Sequence, residues 1–274
     1  MRTPSRPGPG SPTSIPALQA TKFYSVHLRP SSSQETTRTS AIRPAMAAAR
    51  RLSLPLVLLV VLAVAGRAAA QDYDFFYLVL QWPGAYCDTK QSCCYPKSGK
   101  PAADFGIHGL WPNRDDGTYP QNCSPDNAFN PSKVSDLLSS LRAKWPTLAC
   151  PSNDGLRFWG HEWEKHGTCA ADVFDEHGYF QAALRLRDQL GVLGALTSAG
   201  VKPDGGYYTL SQIKGAIRQG TGFEPYVECN RDEAGNSQLY QLYFCVDAAG
   251  DSFVDCPVLP SGRPCGNRIE FPAF

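Results

Sequence analysis

The sequence predicts a single α+β domain, with a central antiparallel sheet flanked by helices and stapled by disulfides. Three observations carry this. Runs of strand-forming residues lie near residues 75–82 and 238–245. Amphipathic helical patterns fall between them, in an order without regular strand–helix–strand alternation. All ten cysteines lie at or beyond Cys87.

Phe75-Phe-Tyr-Leu-Val-Leu-Gln-Trp82 is rich in strand formers and is closed by Pro83-Gly84, so it reads as a buried strand. A loop rich in Cys, Pro and Gly follows to about Asp104, and Phe105 to Leu110 reads as a short second strand ending at Trp111-Pro112. Asn130-Pro131 supplies a helix cap and a first-turn proline. Val134, Leu137, Leu138 and Leu141 then repeat with helical spacing up to Trp145-Pro146. A second helix is expected over 155–168. A third is expected over 179–190, with Phe180, Ala183, Leu184 and Leu190 inward, and a short one over 210–218, ended by Gly220. Residues 238–245 alternate as a strand, with a hairpin partner around 252–256.

The chain has 274 residues, 26 Lys+Arg, 25 Asp+Glu and a formal net charge of +1. That balance hides an asymmetry. Residues 46–70 carry Arg50 and Arg51 close behind Met46, continue as an apolar stretch from Leu52 to Ala65, and end on small residues. This is the layout of a secretory signal peptide. The stretch is short for a membrane span, which takes roughly 20 apolar residues. Residues 1–45 carry Arg2, Arg6, Lys22, Arg29, Arg38 and Arg43 against Glu35 alone, with much Ser, Thr and Pro. They are expected to be a disordered extension. Their composition suits an organelle transit peptide, which makes little sense ahead of a secretory signal, so Met46 is read as the true start. Nine Lys+Arg and one Asp+Glu precede residue 71, so the mature part, 71–274, keeps 17 against 24 and a net charge of −7. An acidic chain gains little from non-specific phosphate attraction, so nucleic-acid binding has to be local to a site. An even cysteine set behind a signal peptide implies disulfides and an oxidising compartment. No C-x-x-C pair suggests zinc.

Two segments carry the chemistry: Phe105-Gly-Ile-His-Gly-Leu-Trp-Pro112 and Phe158-Trp-Gly-His-Glu-Trp-Glu-Lys-His-Gly-Thr-Cys169. They hold His108, His161 and His166, three of the five histidines. On a helix with about 100° per residue, Glu162, Lys165 and His166 lie about 100°, 40° and 140° round from His161. All four side chains then converge on one pocket, and His108 reaches it from a strand whose Gly109 lets the chain pass close to a ligand. Two acid–base histidines, a third histidine, a carboxylate and a cation suit phosphoryl transfer from a phosphodiester. The near-match to the zinc motif H-E-x-x-H fails, because the position four residues after His161 is Lys165 and His166 comes one residue late. His27 and His177 read as surface or packing residues, and Trp159 and Trp163 as core.

These two segments resemble the active-site segments of the ribonuclease T2 family, acid endoribonucleases that are secreted or vacuolar. The layout from Phe75 to Cys265 is similar to the plant S-like branch. The resemblance implies that His108 and His166 are the acid–base pair and that His161 holds the phosphate. It implies that Glu162 and Lys165 stabilise the pentacovalent intermediate and tune the histidines. Trp111 and Phe158 match aromatics near the base pockets, and Gln81 matches a base contact. The implied reaction cuts single-stranded RNA to a 2′,3′-cyclic phosphate and then a 3′-phosphate, with no metal or other cofactor. Either histidine can be the base of the first step, since the two exchange roles. The implied pairing is Cys87–Cys93, Cys94–Cys150, Cys123–Cys169, Cys229–Cys265 and Cys245–Cys256. A monomer, extracellular or vacuolar and free of membrane after signal cleavage, is expected. A storage or recognition protein of the same family is the rival reading. The intact catalytic set argues against storage, and the net charge of −7 against the more basic recognition branch.

Overall fold

The strand at Phe75–Gln81 is apolar at nearly every position because both of its faces are covered. Phe76, Leu78 and Leu80 enter the main core beneath the helices, while Phe75, Tyr77 and Val79 join Tyr243 and Cys245 in a smaller cluster on the other face. A central strand of this kind loses the usual polar alternation. The structure, a computed structural model, describes residues 71–274. The extension expected over 1–45 and the signal peptide expected over 46–70 lie outside the described residues.

Among those residues seven strands form one sheet: β1 (Phe75–Gln81), β2 (Gly106–Asn113), β3 (Gly206–Tyr208), β4 (Tyr226–Arg231), β5 (Ser237–Asp247), β6 (Phe253–Val254) and β7 (Ile269–Phe271). The order is β2-β1-β5-β7-β3, and β4 and β6 also pair with β5. Pairing is antiparallel except for the single parallel contact of Gln238 on β5 with Glu270 on β7. The helices are α1 (Pro83–Cys87), α2 (Leu138–Lys144), α3 (Leu156–Lys165), α4 (Glu176–Leu190), α5 (Val192–Ser198) and α6 (Leu210–Thr221). None is long and apolar enough to cross a membrane.

The helix expected from Pro131 divides. Asn130 does cap it, its side chain accepting from Ser132 N, but residues Pro131–Val134 form a 3₁₀ turn and the α-helix begins at Leu138. Helix α4 starts earlier than expected because Asp175 accepts from Gly178 N at its head; Phe180, Ala183, Leu184 and Leu190 are buried as the pattern requires. Trp159 and Trp163 are core residues, each with its indole N–H given to a backbone carbonyl, of Trp145 and Asn127 respectively.

All ten cysteines are bonded, in the pairs Cys87–Cys93, Cys94–Cys150, Cys123–Cys169, Cys229–Cys265 and Cys245–Cys256. The Cys123–Cys169 bridge ties a loop to the 3₁₀ turn Gly167–Ala170 that follows α3. Next to it, Asn122 N donates to Lys165 O at 2.9 Å, so the end of α3 is held by a covalent and a backbone link together.

Candidate active site

His108 owes its position to a β-bulge. In the β1–β2 ladder Val79 faces Gly109 and Leu80 faces Ile107, which leaves His108 with no cross-strand partner. An unpaired residue of this kind bends the strand and re-aims its side chain. Ile107 and Leu110, three positions apart, therefore both enter the main core. The His108 carbonyl, outside the ladder, accepts from Trp145 Nε1 at 2.9 Å, which satisfies a polar group that would otherwise be orphaned.

Gly109 serves a purpose different from the one its sequence suggests. A Cβ there would overlap both Trp111 Nε1 and Glu162 Oε2. The glycine makes room for a protein–protein hydrogen bond: Trp111 Nε1 donates to Glu162 Oε2 at 2.8 Å. The Trp111 ring stacks on His166, with centroids 5.2 Å apart, and meets His108 edge-on at 4.9 Å.

Helix α3 presents His161, Glu162 and Lys165, but it does not reach His166. The helix ends at Lys165, and His166 sits at the junction with φ −114° and ψ −49° before the 3₁₀ turn. Gly167 permits this exit, since a Cβ there would overlap the Trp163 ring and crowd Tyr179. The expectation of a helix to residue 168 with all four side chains on one arc is corrected to three on the helix and His166 just beyond it. Even so, His108, His161, Glu162, Lys165, His166 and Trp111 all line one cavity of about 610 Å³. Gln81 and Phe158 line a second cavity, of about 340 Å³, together with Tyr86 and Tyr240. His108 belongs to both cavities and forms the wall between them. The Phe158 ring lies nearly parallel to that of His108, with centroids 6.1 Å apart.

Burial dominates the electrostatics. It pulls His108 down to about 4, helped by the charges of His161 and Lys165 and opposed by the hydrogen bond with Gln241. His166 falls to about 3 through burial, then Lys165 and the other two histidines. The more exposed His161 is lowered by burial and by Lys165, against the pull of Glu164. Glu162, 2% exposed, is pushed up to about 8 by burial, with the Trp111 hydrogen bond and Lys165 opposing. Glu162 is therefore a neutral acid at working pH. His166 Nδ1 is buried without a protein partner. Among the described residues no group of three or more His, Cys, Asp or Glu is placed to hold a metal.

His177 pairs with Asp136 at 3.0 Å on the surface, away from the cavity. Three residues that sequence reasoning did not single out also belong to the site. Gln241 Nε2 lies 2.9 Å from His108 Nδ1, and Tyr243 and Glu228 follow Gln241 in one hydrogen-bonded chain. The sequence signal was a glutamine in the middle of an apolar strand, Leu239-Tyr-Gln-Leu-Tyr-Phe244.

The fold is shared with solved ribonucleases. The crystal structure of RNase NT in complex with 5′-AMP matches with a TM-score of 0.72 and 55% identity, over 74% of this chain and 100% of that one. Two curated relatives from Solanum lycopersicum are similar along most of their length. Extracellular ribonuclease LE is 55% identical over 84% of this chain and 100% of its own, and Intracellular ribonuclease LX is 54% identical over 75% and 86%. The chain belongs to the ribonuclease T2 family, whose model matches residues 73–256, and is an endoribonuclease.

Proposed function

We propose that the domain over 71–274 cleaves single-stranded RNA by transphosphorylation, with His108 and His166 as its acid–base pair. The observation that carries this reading is the shared 610 Å³ cavity, in which the two histidines meet Lys165, His161 and a protonated Glu162. His166 accepts the ribose 2′-OH proton as that oxygen attacks phosphorus. His108 protonates the 5′-oxygen as the P–O bond to it breaks. The product is a 2′,3′-cyclic phosphate, which water opens to a 3′-phosphate with the roles of the two histidines reversed.

Lys165 and His161 supply positive charge where the pentacovalent phosphorus gains negative charge, and preorganised donors act most strongly there. A neutral Glu162 adds an O–H donor to the same oxygens without repelling them. Trp111 in the first cavity, and Gln81 with Phe158 in the second, receive the bases on either side of the scissile phosphate. Stacking on such aromatics is worth about 1–3 kcal/mol per base, and an unpaired strand can supply it. RNase NT holds 5′-AMP, which agrees with a nucleotide in this cleft. The reaction uses no metal, since Lys165 and an imidazolium provide the positive charge.

Five disulfides require an oxidising compartment during folding, which supports entry to the secretory pathway and residence outside the cell or in the vacuole, as a monomer. Incubating purified protein with single-stranded RNA and with DNA of the same sequence, in excess EDTA, tests the reading. RNA is cut and DNA is spared; loss of cutting in EDTA, or equal cutting of DNA, overturns it.

A further inference from the structure

His108 is gripped from the side of β5. Gln241 on that strand is 3% exposed, and two residues on, the same face carries Tyr243 at 8%. Gln241 Nε2 lies 2.9 Å from His108 Nδ1. Gln241 Oε1 lies 3.1 Å from Tyr243 Oη, which is in turn 2.7 Å from Glu228 Oε2. Glu228 is the cross-strand partner of Gln241 on β4, beside a second bulge.

A phenol has one proton, yet Tyr243 Oη has two acceptors in reach. Burial, then the Glu228 carboxylate, push the Tyr243 phenol far above the ordinary tyrosine range, so it keeps that proton. The bond to a carboxylate is the stronger of the two. The Gln241 oxygen is then left without a proton. A half-turn of the amide exchanges its oxygen and nitrogen with little change in position and gives every atom one partner. Glu228 accepts from Tyr243, Tyr243 accepts from the Gln241 amide, and the Gln241 carbonyl accepts from His108 Nδ1–H.

We propose that Gln241, Tyr243 and Glu228 form a positioning relay that keeps a proton on His108 Nδ1, frees Nε2 for the reaction, and sustains the imidazolium form. The relay brings the influence of the Glu228 carboxylate to His108 through two intervening side chains. It offsets burial and the two charges that disfavour imidazolium, His161 and Lys165; His166 shares their cavity, and in the other cavity Lys144 and Arg187 are paired with Asp188 and Asp104. Glu162, neutral at working pH, adds no charge of its own.

The relay rests on the reading of His108 as an acid–base group, and two measurements keep the two claims apart. Nitrogen-15 NMR of the resting protein locates the His108 proton. The relay places it on Nδ1, and moves it towards Nε2 in Gln241→Leu. A proton on Nε2 in the unaltered protein overturns the relay, whatever His108 does in catalysis. The pH–rate profile supplies the second measurement. Gln241→Leu, Tyr243→Phe and the conservative Glu228→Gln each lower kcat with KM little changed. The loss is on the order of 10–100-fold, as for orienting partners of metal-bound histidines. Each also moves the descending limb to lower pH. Gln241→Glu, which sets a carboxylate directly on Nδ1, moves that limb to higher pH. A limb unmoved in both Gln241 variants overturns the relay, whereas full turnover in His108→Phe removes the acid–base reading itself.

Discussion

The indole N–H of Trp111 donates to Oε2 of Glu162 across 2.8 Å, joining strand β2 to helix α3 inside the cavity that holds the three histidines. The ring of the same tryptophan stacks on His166. One side chain thus orients both the buried acid and one of the two histidines, and it can do so because residue 109 is a glycine.

Trp111→Phe separates these two tasks. The ring survives to stack on His166, but Glu162 loses its donor, and leaving a buried acceptor unpaired costs about 1–3 kcal/mol. The Trp111 hydrogen bond lowers the Glu162 pKa, so its loss drives that value above about 8. Denaturant unfolding is expected to show the stability loss, and carboxyl infrared titration the upward shift. An unchanged Glu162 titration would mean the bond does not form in solution.

The pH profile follows from the two histidines. The base has to be neutral and the acid protonated, so the rate falls on both sides of a maximum. With His108 near about 4 and His166 near about 3, kcat/KM is expected to peak below the unperturbed value of 6.5. Bound phosphate favours imidazolium, so the kcat profile lies at higher pH than that of kcat/KM. Steady-state rates on a dinucleotide from pH 3 to 9 check both statements. A rate still rising at pH 9 would show that no protonated histidine is needed.

Glu162 ties stability to pH with a definite sign. Its folded pKa of about 8 lies above the unfolded 4.5, so the folded state holds the proton more tightly. The carboxyl therefore costs nothing below 4.5, and its cost grows as pH rises to about 8, reaching on the order of 4–5 kcal/mol. Glu162→Gln removes this term and keeps an acceptor for Trp111. The stability gained by the variant, from urea unfolding, is expected to widen steadily between pH 4.5 and pH 8. A constant offset would place the Glu162 titration at its ordinary position.

The Cys123–Cys169 bridge spans 46 residues and secures the chain just after His166. A loop of that length is worth about 4 kcal/mol in lost unfolded-state entropy. Cys123→Ala with Cys169→Ala is expected to lose much of that stability. Turnover should also fall at temperatures where the protein is still folded, because the end of α3 loosens. Thermal melts and rates on the same sample check this; full turnover in the folded variant would show that the bridge does not position His166.

Much of this was legible in the sequence because long periodic elements and chemical motifs leave strong local signals. Strand β1, most of helices α4 and α6, and the gathering of His108, His161, Glu162, Lys165 and His166 in one cavity follow from pattern and residue type. The hairpin partner expected around 252–256 is present as β6, whereas the short strands β3 and β7 have three residues each, too few for a period to show. Strand β4 was missed although Val227 and Cys229 alternate inward, because its Glu and Asn lowered its strand character. The bulge at His108 and the helix exit at His166 depend on cross-strand register and on Gly167 against Trp163, which no local pattern encodes. The burial that raises the Glu162 pKa is likewise absent from local pattern: helical geometry gives direction, whereas burial comes from the whole fold.

The central claim is that the ribose 2′-oxygen, with His108 and His166 moving its protons, is the nucleophile. Phosphorus-31 NMR of a dinucleotide digest in oxygen-18 water, with EDTA present, tests it most directly. The account predicts that a 2′,3′-cyclic phosphate forms first and carries no solvent oxygen, and that the 3′-phosphate formed later carries one. A first product that is already an acyclic phosphate labelled from water would contradict it.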